Sequence, residues 1–157
     1  GLVAITAGCA FVSVSSALLI GGLAGVLVVV AVMFFDRRRL DDPVGALSVH
    51  LVNGVFGSLA VGLFAQDSIT GVSTGNGLLF GGGFELLGAQ ALMVVTVAAF
   101  VLPASLLVWW VIKKTVGIRV SLKEEIQGLD IGEHGNVAYP EFVIHRNSYS
   151  AAEIRKE

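Results

Sequence analysis

Residues 14–35 read VSSALLIGGLAGVLVVVAVMFF and contain no charged side chain. An α-helix needs about 20 predominantly apolar residues to cross the roughly 30 Å hydrocarbon core of a bilayer. The run stops at Asp36, which is followed by Arg37, Arg38 and Arg39, and charges of this kind are costly at the centre of a membrane. The sequence therefore predicts a transmembrane helix over residues 14–35.

Two further runs have the length and composition of membrane spans. Residues 44–65 follow Asp42 and Pro43, which suit the N-cap and the first helical position of a helix. Residues 84–112 are longer than one bilayer thickness, so we expect this helix to tilt, to kink at Pro103 or to protrude. The predicted fold class is all-α integral membrane.

The composition agrees with a membrane protein. The 157 residues are 55% hydrophobic and 14% charged, with a mean hydropathy of +0.84, whereas soluble domains carry roughly 25% charged residues. The first residues are apolar without a basic signal-peptide region, so we interpret the chain as a fragment and residues 1–10 as the end of a preceding span. A net charge of −2 offers no basic stripe for nucleic acid. The single cysteine, Cys9, belongs to no Cys/His cluster, and no metal or cofactor is expected.

The basic residues predict the orientation of the spans, because Lys and Arg in short loops mark the cytoplasmic side. The arginines at 37–39 place the first connection inside. The connection 66–83 contains no Lys or Arg and belongs outside, and the lysines at 113–114 return the chain to the inside. Residues 1–114 are then the transmembrane region, and residues 115–157 are a cytoplasmic C-terminal tail.

Glycines have two expected roles. In the spans, small residues let helices approach closely where lipid provides no hydrophobic drive, and this interpretation applies to Gly21, Gly25, Gly54, Gly57 and Gly62. Between the last two spans, the glycines of residues 75–83 superficially suggest a phosphate-binding loop, but no soluble strand precedes them and no GK[ST] follows. We interpret this connection as a flexible external loop.

His50 is the ionisable residue of the span 44–65, about 9 Å from its start at 1.5 Å per residue. An ionisable group inside a membrane is costly and generally marks a transport pathway or a polar partner. Helical spacing places small or polar residues on or near its face, namely Ala46, Asn53, Gly54 and Gly57. A neutral imidazole both donates and accepts a hydrogen bond, which suits a small molecule that can do the same. The alternative is a histidine that only hydrogen-bonds a neighbouring helix.

The run DDPVGALSVHLVNGVFGSLAVGLFA, residues 41–65, closely resembles the late-span signature of the ammonium transporter (Amt/Mep/Rh) family. GLVAIT at residues 1–6, and VGIRV followed by GLD, HG and AY near the end of the chain, occur in the same order as in that family. The resemblance implies a fold of eleven transmembrane helices with inverted repeats and a homotrimeric assembly. The chain would be its C-terminal part: the end of helix 8, helices 9 to 11 and the tail.

The same resemblance implies a channel-like facilitator of ammonium or ammonia in the plasma (inner) membrane, with methylammonium as an analogue. Ammonium would lose a proton, and the deprotonated substrate would cross a histidine-lined apolar pore. His50 corresponds to the second of the family's paired pore histidines, its partner lying outside this chain, and Ala46 lines the pore. Asp42 and Pro43 hold the start of the helix. The resemblance implies no catalytic residue.

The tail carries a second group of family positions, which are Gly128, Asp130, His134, Gly135 and Tyr139. Ser121 and Glu124 have the spacing of a capping box, and Gly128 can end the short helix that they start. In the resembling family this tail contacts cytoplasmic loops, and PII-type regulatory proteins block many bacterial members. His134 is interpreted as a turn residue rather than a metal ligand, since no second ligand stands at zinc spacing.

Two other functions compete with transport. One is an ammonium sensor (transceptor) that signals through the tail. The other is an intramembrane enzyme that uses His50 as an acid or base, which is disfavoured because the spans contain no Ser/Asp/Glu partner arrangement and no HExxH pattern.

Overall fold

The computed structural model describes residues 1–71, 73 and 75–139. Over these residues the regular secondary structure is helical, without a strand. The helices, in chain order, are α1 (Leu2–Thr6), α2 (Val14–Arg37), a π-helical segment (Ala46–Leu51) that continues into α3 (Val52–Phe64), α4 (Asp67–Thr70), a 3-10 turn (Leu78–Phe80), α5 (Glu85–Thr115), α6 (Leu122–Gln127) and α7 (Leu129–His134). The chain divides into two compact units, Gly1–Leu107 and Val108–Glu157.

Three helices of the described residues are long and apolar enough to cross a membrane: Val14–Arg37, Ala46–Phe64 and Glu85–Thr115. The middle one is the least apolar of the three because it carries polar side chains near its start. The all-α class is confirmed over the described residues, and the third helix continues through Pro103. The middle helix begins at Ala46, two residues later than expected.

Helix α2 has a conventional start. The Ser13 hydroxyl accepts a hydrogen bond from the Ser16 backbone N–H at 3.2 Å, which satisfies one of the donors that every helix N-terminus leaves without an intrahelical partner. At the other end, the Arg38 guanidinium lies 5.2 Å from the centre of the Phe34 ring. This cation–π contact keeps the charged group beside the apolar helix end.

The buried core of the first unit lies where α1, α2 and α3 meet, and its members are Ala4, Val12, Ile20, Ala24 and Ala60. Gly57 of α3 lies directly against the Ala4 backbone of α1, so that any Cβ at this position would overlap the Ala4 carbonyl group. A Cβ at Gly62 would stand 2.5 Å from the Leu87 Cα of α5. Packing through small residues is therefore confirmed at these two glycines, as expected for helices in lipid.

The other span glycines are different. A Cβ added at Gly21, Gly25 or Gly54 would meet nothing within 4 Å. The interpretation of these three residues as packing positions finds no contact among the described residues.

The connection between α3 and α5 is tied to its neighbours by hydrogen bonds. The Gln66 N–H donates to the Phe11 carbonyl at 2.8 Å, and the Gly77 N–H donates to the Ala65 carbonyl at 2.8 Å. Within the connection, the Asp67 N–H donates to the Asn76 side chain at 2.9 Å. In the described part of this segment the glycines serve close backbone packing as well as turns, since a Cβ at Gly77 or Gly82 would overlap neighbouring backbone atoms.

Candidate functional site

The candidate site begins with a π-helical turn at the start of the middle span. The Gly45 carbonyl accepts hydrogen bonds from the N–H groups of Val49 at 2.9 Å and His50 at 3.1 Å, and the Val52 N–H donates to the Leu47 carbonyl. Two of these bonds join residues five apart, one more than in an α-helix. Such π-turns are rare and are frequently found at functional sites.

Gly45 has a conformation that permits this turn. Its φ of 71° and ψ of 29° lie in the left-handed region, which glycine adopts without the steric cost that a Cβ brings. A Cβ at this position would also stand 2.7 Å from Cγ2 of Val49. The residue therefore reverses the chain just before the helix starts.

The Asp42 carboxylate binds the first turn of the helix. Its Oδ1 accepts from the Leu47 N–H at 3.0 Å, and its Oδ2 accepts from the Ser48 N–H at 2.8 Å and the Ser48 hydroxyl at 2.7 Å. The hydrogen bond from the Ser48 backbone is the largest cause of a pKa of Asp42 below its ordinary value of 3.8. A negative charge here also suits the positive end of the helix dipole.

The position of Pro43 corrects the expected helix start. The N-cap position is occupied by Gly45 rather than Asp42, and the first helical residue is Ala46 rather than Pro43. Pro43 lies in a turn closed by a hydrogen bond of 3.2 Å from the Gly45 N–H to the Asp42 carbonyl. The reason is geometric: the chain must fold back through this turn before the Asp42 side chain can reach the N–H groups of Leu47 and Ser48.

His50 and Ala46 are both exposed on the surface of the described residues, whereas Asn53 is 1% exposed and Gly57 is buried. The expectation that Asn53 and Gly57 lie on or near the face of His50 is therefore not met in the described residues, whereas Ala46 is exposed like His50. A π-helical turn carries more residues than an α-helical turn, so the α-helical spacing used for the expectation does not apply across it.

Ser48 belongs to the site and has no clear signal in the sequence. It is 1% exposed, and its hydrogen bond to Asp42 spans six residues. The α-helical pattern of neighbours three and four residues apart does not connect these two positions. In the sequence, Ser48 is one of two serines in the apolar run 44–65, and an occasional serine in such a run is commonplace.

In the second unit, the expected capping box is present. The Ser121 hydroxyl accepts from the Glu124 N–H at 3.3 Å, and Glu124 Oε2 accepts from the Ser121 N–H at 2.9 Å. The hydrogen bond from the Ser121 hydroxyl to this carboxylate is the main cause of a lowered pKa of Glu124. Gly128 ends α6 with a φ of 87° and a ψ of 155°, a combination reserved almost entirely for glycine.

The structure brings some of the tail positions together. Gly135 is the left-handed C-cap of α7, and its N–H donates to the carbonyls of Asp130 and Ile131. The Asp130 carboxylate accepts from the Ala138 N–H at 3.1 Å. His134 is the last residue of α7, and His134 and Tyr139 are both exposed. Residues 140–157 of the expected tail lie outside the described residues.

The family comparison accounts for most of the chain. The family model described as the Ammonium Transporter Family matches residues 1–139. The chain belongs to this family. The resemblance drawn from residues 41–65 and the motifs on either side of them is confirmed, and the three long apolar helices agree with an integral membrane protein.

Curated members of the family give the same result. The chain is 42% identical over 148 residues to ammonium transporter Amt2 of Archaeoglobus fulgidus, covering 91% of this chain and 31% of the relative. It is 37% identical over 139 residues to ammonium transporter Amt1 of the same organism, covering 88% and 34%. It is 39% identical over 145 residues to an ammonium transporter of Mycobacterium tuberculosis, covering 88% and 30%. The chain thus spans about a third of the length of these relatives.

Proposed function

We propose that the complete protein carrying this chain transports ammonium or ammonia across a membrane, and that His50 lines its pathway. The observation that carries the proposal is the position of His50, which is exposed on a π-helical turn within a 19-residue apolar helix of an ammonium transporter family member. An exposed ionisable group in such a helix requires a polar pathway or partner. A pathway for a polar substrate beside the imidazole would meet this requirement.

The chemistry fits a substrate that moves without its charge. Ammonium is a cation, and a cation is costly in an apolar pore, whereas ammonia is neutral and both donates and accepts hydrogen bonds. A neutral imidazole offers one donor and one acceptor. His50 therefore binds the deprotonated substrate transiently and passes it on, together with a second histidine supplied by another part of the protein.

Ala46 supports the same pathway. It lies one turn before His50 and is likewise exposed at the surface of the described residues. Its methyl group is small and apolar, so it leaves space beside the imidazole without offering a competing hydrogen bond. Both residues line the pore when the remaining helices of the eleven-helix, inverted-repeat fold surround them.

The assembly and the tail complete the proposal. The protein is a homotrimer in the plasma (inner) membrane, residues 115–157 are cytoplasmic, and a PII-type protein contacts this face. A tail closed on itself through Asp130 and Gly135 supports a regulatory role. The same tail is the one feature that favours the second candidate, an ammonium sensor that signals through it. The third candidate, an intramembrane enzyme, is disfavoured because the helix Ala46–Phe64 contains no Asp or Glu, and the Ser48 hydroxyl donates to Asp42 rather than to His50.

Methylammonium uptake tests the proposal. The complete protein is expressed in cells without ammonium transporters of their own, and uptake of labelled methylammonium is compared with vector-only cells. His50→Ala should reduce uptake or change its ion selectivity while membrane insertion persists, because the span becomes more apolar. His145→Ala makes the same substitution at a histidine to which no role is assigned, and it is the matched control. Absence of uptake by the inserted wild-type protein contradicts transport, and an unchanged His50→Ala variant contradicts the pore assignment.

A further inference from the structure

Two polar side chains are buried near His50 inside the middle span. Ser48 and Asn53 are each 1% exposed, and apart from Ile20 they are the largest fully buried side chains of the described residues. Burying a polar group costs free energy unless it is hydrogen-bonded, and the cost is greatest where no water is at hand. A polar pair in this position therefore requires a structural or functional reason.

The two side chains are joined to each other and to the helix start. Ser48 donates to the Asp42 carboxylate through both its N–H and its hydroxyl. The Asn53 side-chain Nδ2 donates to the Ser48 carbonyl at 3.5 Å, a long hydrogen bond. A continuous hydrogen-bonded path thus runs from Asp42, outside the helix, through Ser48 to Asn53.

This path follows the π-helical turn on its buried side. Ser48 and Asn53 lie on either side of His50 in the sequence, and their contact joins residues five apart, the same spacing as the backbone hydrogen bond from His50 to Gly45. His50 itself is exposed. A turn that is held on one side by a polar pair presents the residue on its other side in a defined direction.

Asn53 has a further acceptor. Its Oδ1 is buried and accepts no hydrogen bond from the described residues. Simple packing does not account for an amide at this position, because a leucine of similar volume would fill the space without a buried polar atom.

We propose that Ser48 and Asn53 are positioning residues for His50, which hold the π-helical turn so that the imidazole faces the substrate pathway. The inference rests on the proposed function of His50, since it is the pathway that gives the direction of the ring its importance. It predicts that substitutions of Ser48 or Asn53 alter the orientation of the His50 ring, and with it transport, in a protein that still folds and inserts.

The first test measures selectivity in the complete protein. Asn53→Leu removes the amide at similar volume, and Ser48→Ala removes only the hydroxyl. Ser58→Ala, in the same span but away from the path, is the matched control, and Asn53→Ser is the conservative variant that keeps a short polar group. We expect the ratio of ammonium to potassium flux to fall by roughly tenfold to a hundredfold in Asn53→Leu, because small displacements of a reacting group have effects of this size. The ratio should fall less in Ser48→Ala and Asn53→Ser, and it should not change in Ser58→Ala.

The second test observes His50 directly and does not depend on transport. Solid-state NMR of the histidine-labelled protein in lipid bilayers gives the side-chain nitrogen shifts, and His50→Ala identifies the His50 signals. We expect these signals to move in Asn53→Leu and Ser48→Ala but not in Ser58→Ala.

The outcomes separate the two proposals. If the inserted wild-type protein transports nothing, the proposed function fails, while the NMR comparison still decides the positioning role. If Asn53→Leu and Ser48→Ala leave both selectivity and the His50 signals unchanged, the positioning role is rejected. If neither these two variants nor Asn53→Ser inserts, the pair serves folding alone, and the positioning role is again rejected.

Discussion

The Ser48 hydroxyl donates a hydrogen bond of 2.7 Å to the Asp42 carboxylate, and the Ser48 backbone N–H donates to the same oxygen atom at 2.8 Å. One carboxylate oxygen thus holds two groups of a residue that lies six positions further along the chain. Charge-assisted hydrogen bonds of this kind are about twice as strong as neutral ones. The start of the span therefore depends on the ionised form of Asp42.

The first prediction concerns pH. The pKa of Asp42 is lowered in the folded protein, mainly by the Ser48 backbone hydrogen bond, so ionised Asp42 stabilises the fold above its ordinary value of 3.8. This contribution declines as the pH falls below that value and is lost below the lowered pKa. Asp42→Asn should lower the thermal midpoint at pH 7 and should weaken its dependence on pH in this acidic range. Asp41→Asn is the control, and equal effects of both substitutions would contradict the prediction.

A second prediction uses two glycines in the same helix. Gly57→Ala places a methyl group against the Ala4 carbonyl, whereas Gly54→Ala places one where no atom lies within 4 Å. Overpacking of this kind costs about 1–3 kcal/mol, so Gly57→Ala should lower the thermal midpoint of the purified complete protein. Gly54→Ala should leave that midpoint unchanged or slightly raise it, because alanine favours helix. Equal midpoints in the two variants would mean that α1 and α3 do not meet at Gly57.

Gly45 provides the third prediction. Gly45→Ala places a side chain at a φ of 71° and against Val49, and a non-glycine residue forced into a sparsely populated conformation costs about 1–3 kcal/mol. We expect lower methylammonium uptake together with faster amide exchange at Val49 and His50, whose N–H groups bind the Gly45 carbonyl. The control is Gly22→Ala, which lies within α2 with no atom near the added methyl group. Wild-type exchange in Gly45→Ala would show that the turn does not need glycine.

The fourth prediction concerns the capping box of the tail. Ser121→Ala removes the acceptor of the Glu124 N–H and one donor to its carboxylate, so amide exchange in α6 should become faster at neutral pH. The pKa of Glu124 is lowered from its ordinary value of 4.5. The stabilisation by the box is therefore present above that value and is lost as the pH falls through the lowered pKa. Gln127→Ala, at the other end of α6, should leave the exchange of its first turn unchanged, and exchange that is the same in both variants argues against the box.

The membrane spans were predicted best from the sequence, because the thickness of the bilayer sets the length of apolar helix that a span needs. Residues 14–35 lie within the observed helix Val14–Arg37, and the predicted run 84–112 starts one residue before the observed helix Glu85–Thr115. Close packing at Gly57 and its absence at Gly54 could not be told apart, since each glycine has one apolar and one polar neighbour in the sequence and what lies opposite it is set by the fold.

The sequence predicted which residue is central to the candidate site, but not the geometry around it. His50 stood out because an ionisable side chain in an apolar run is conspicuous by itself. The sequence did not reveal that His50 and Asn53 lie on different faces, because the prediction assumed a regular α-helix. A π-helical turn has no recognisable pattern in a single sequence. The role of Ser48 was hidden for the same reason, as its partner Asp42 lies outside the helix.

The connection between α3 and α5 acts as a spacer of set length. The Gly77 N–H donates to Ala65, the C-cap of α3, the Gly82 backbone lies against Asn76, and Gly62 meets Leu87 directly. A residue inserted between Gly77 and Gly82 would shift α5 along α3 by a fraction of a turn and would separate Gly62 from Leu87. Natural length variation in this part of the family should therefore avoid that stretch, and an inserted epitope tag would be tolerated better elsewhere in the chain.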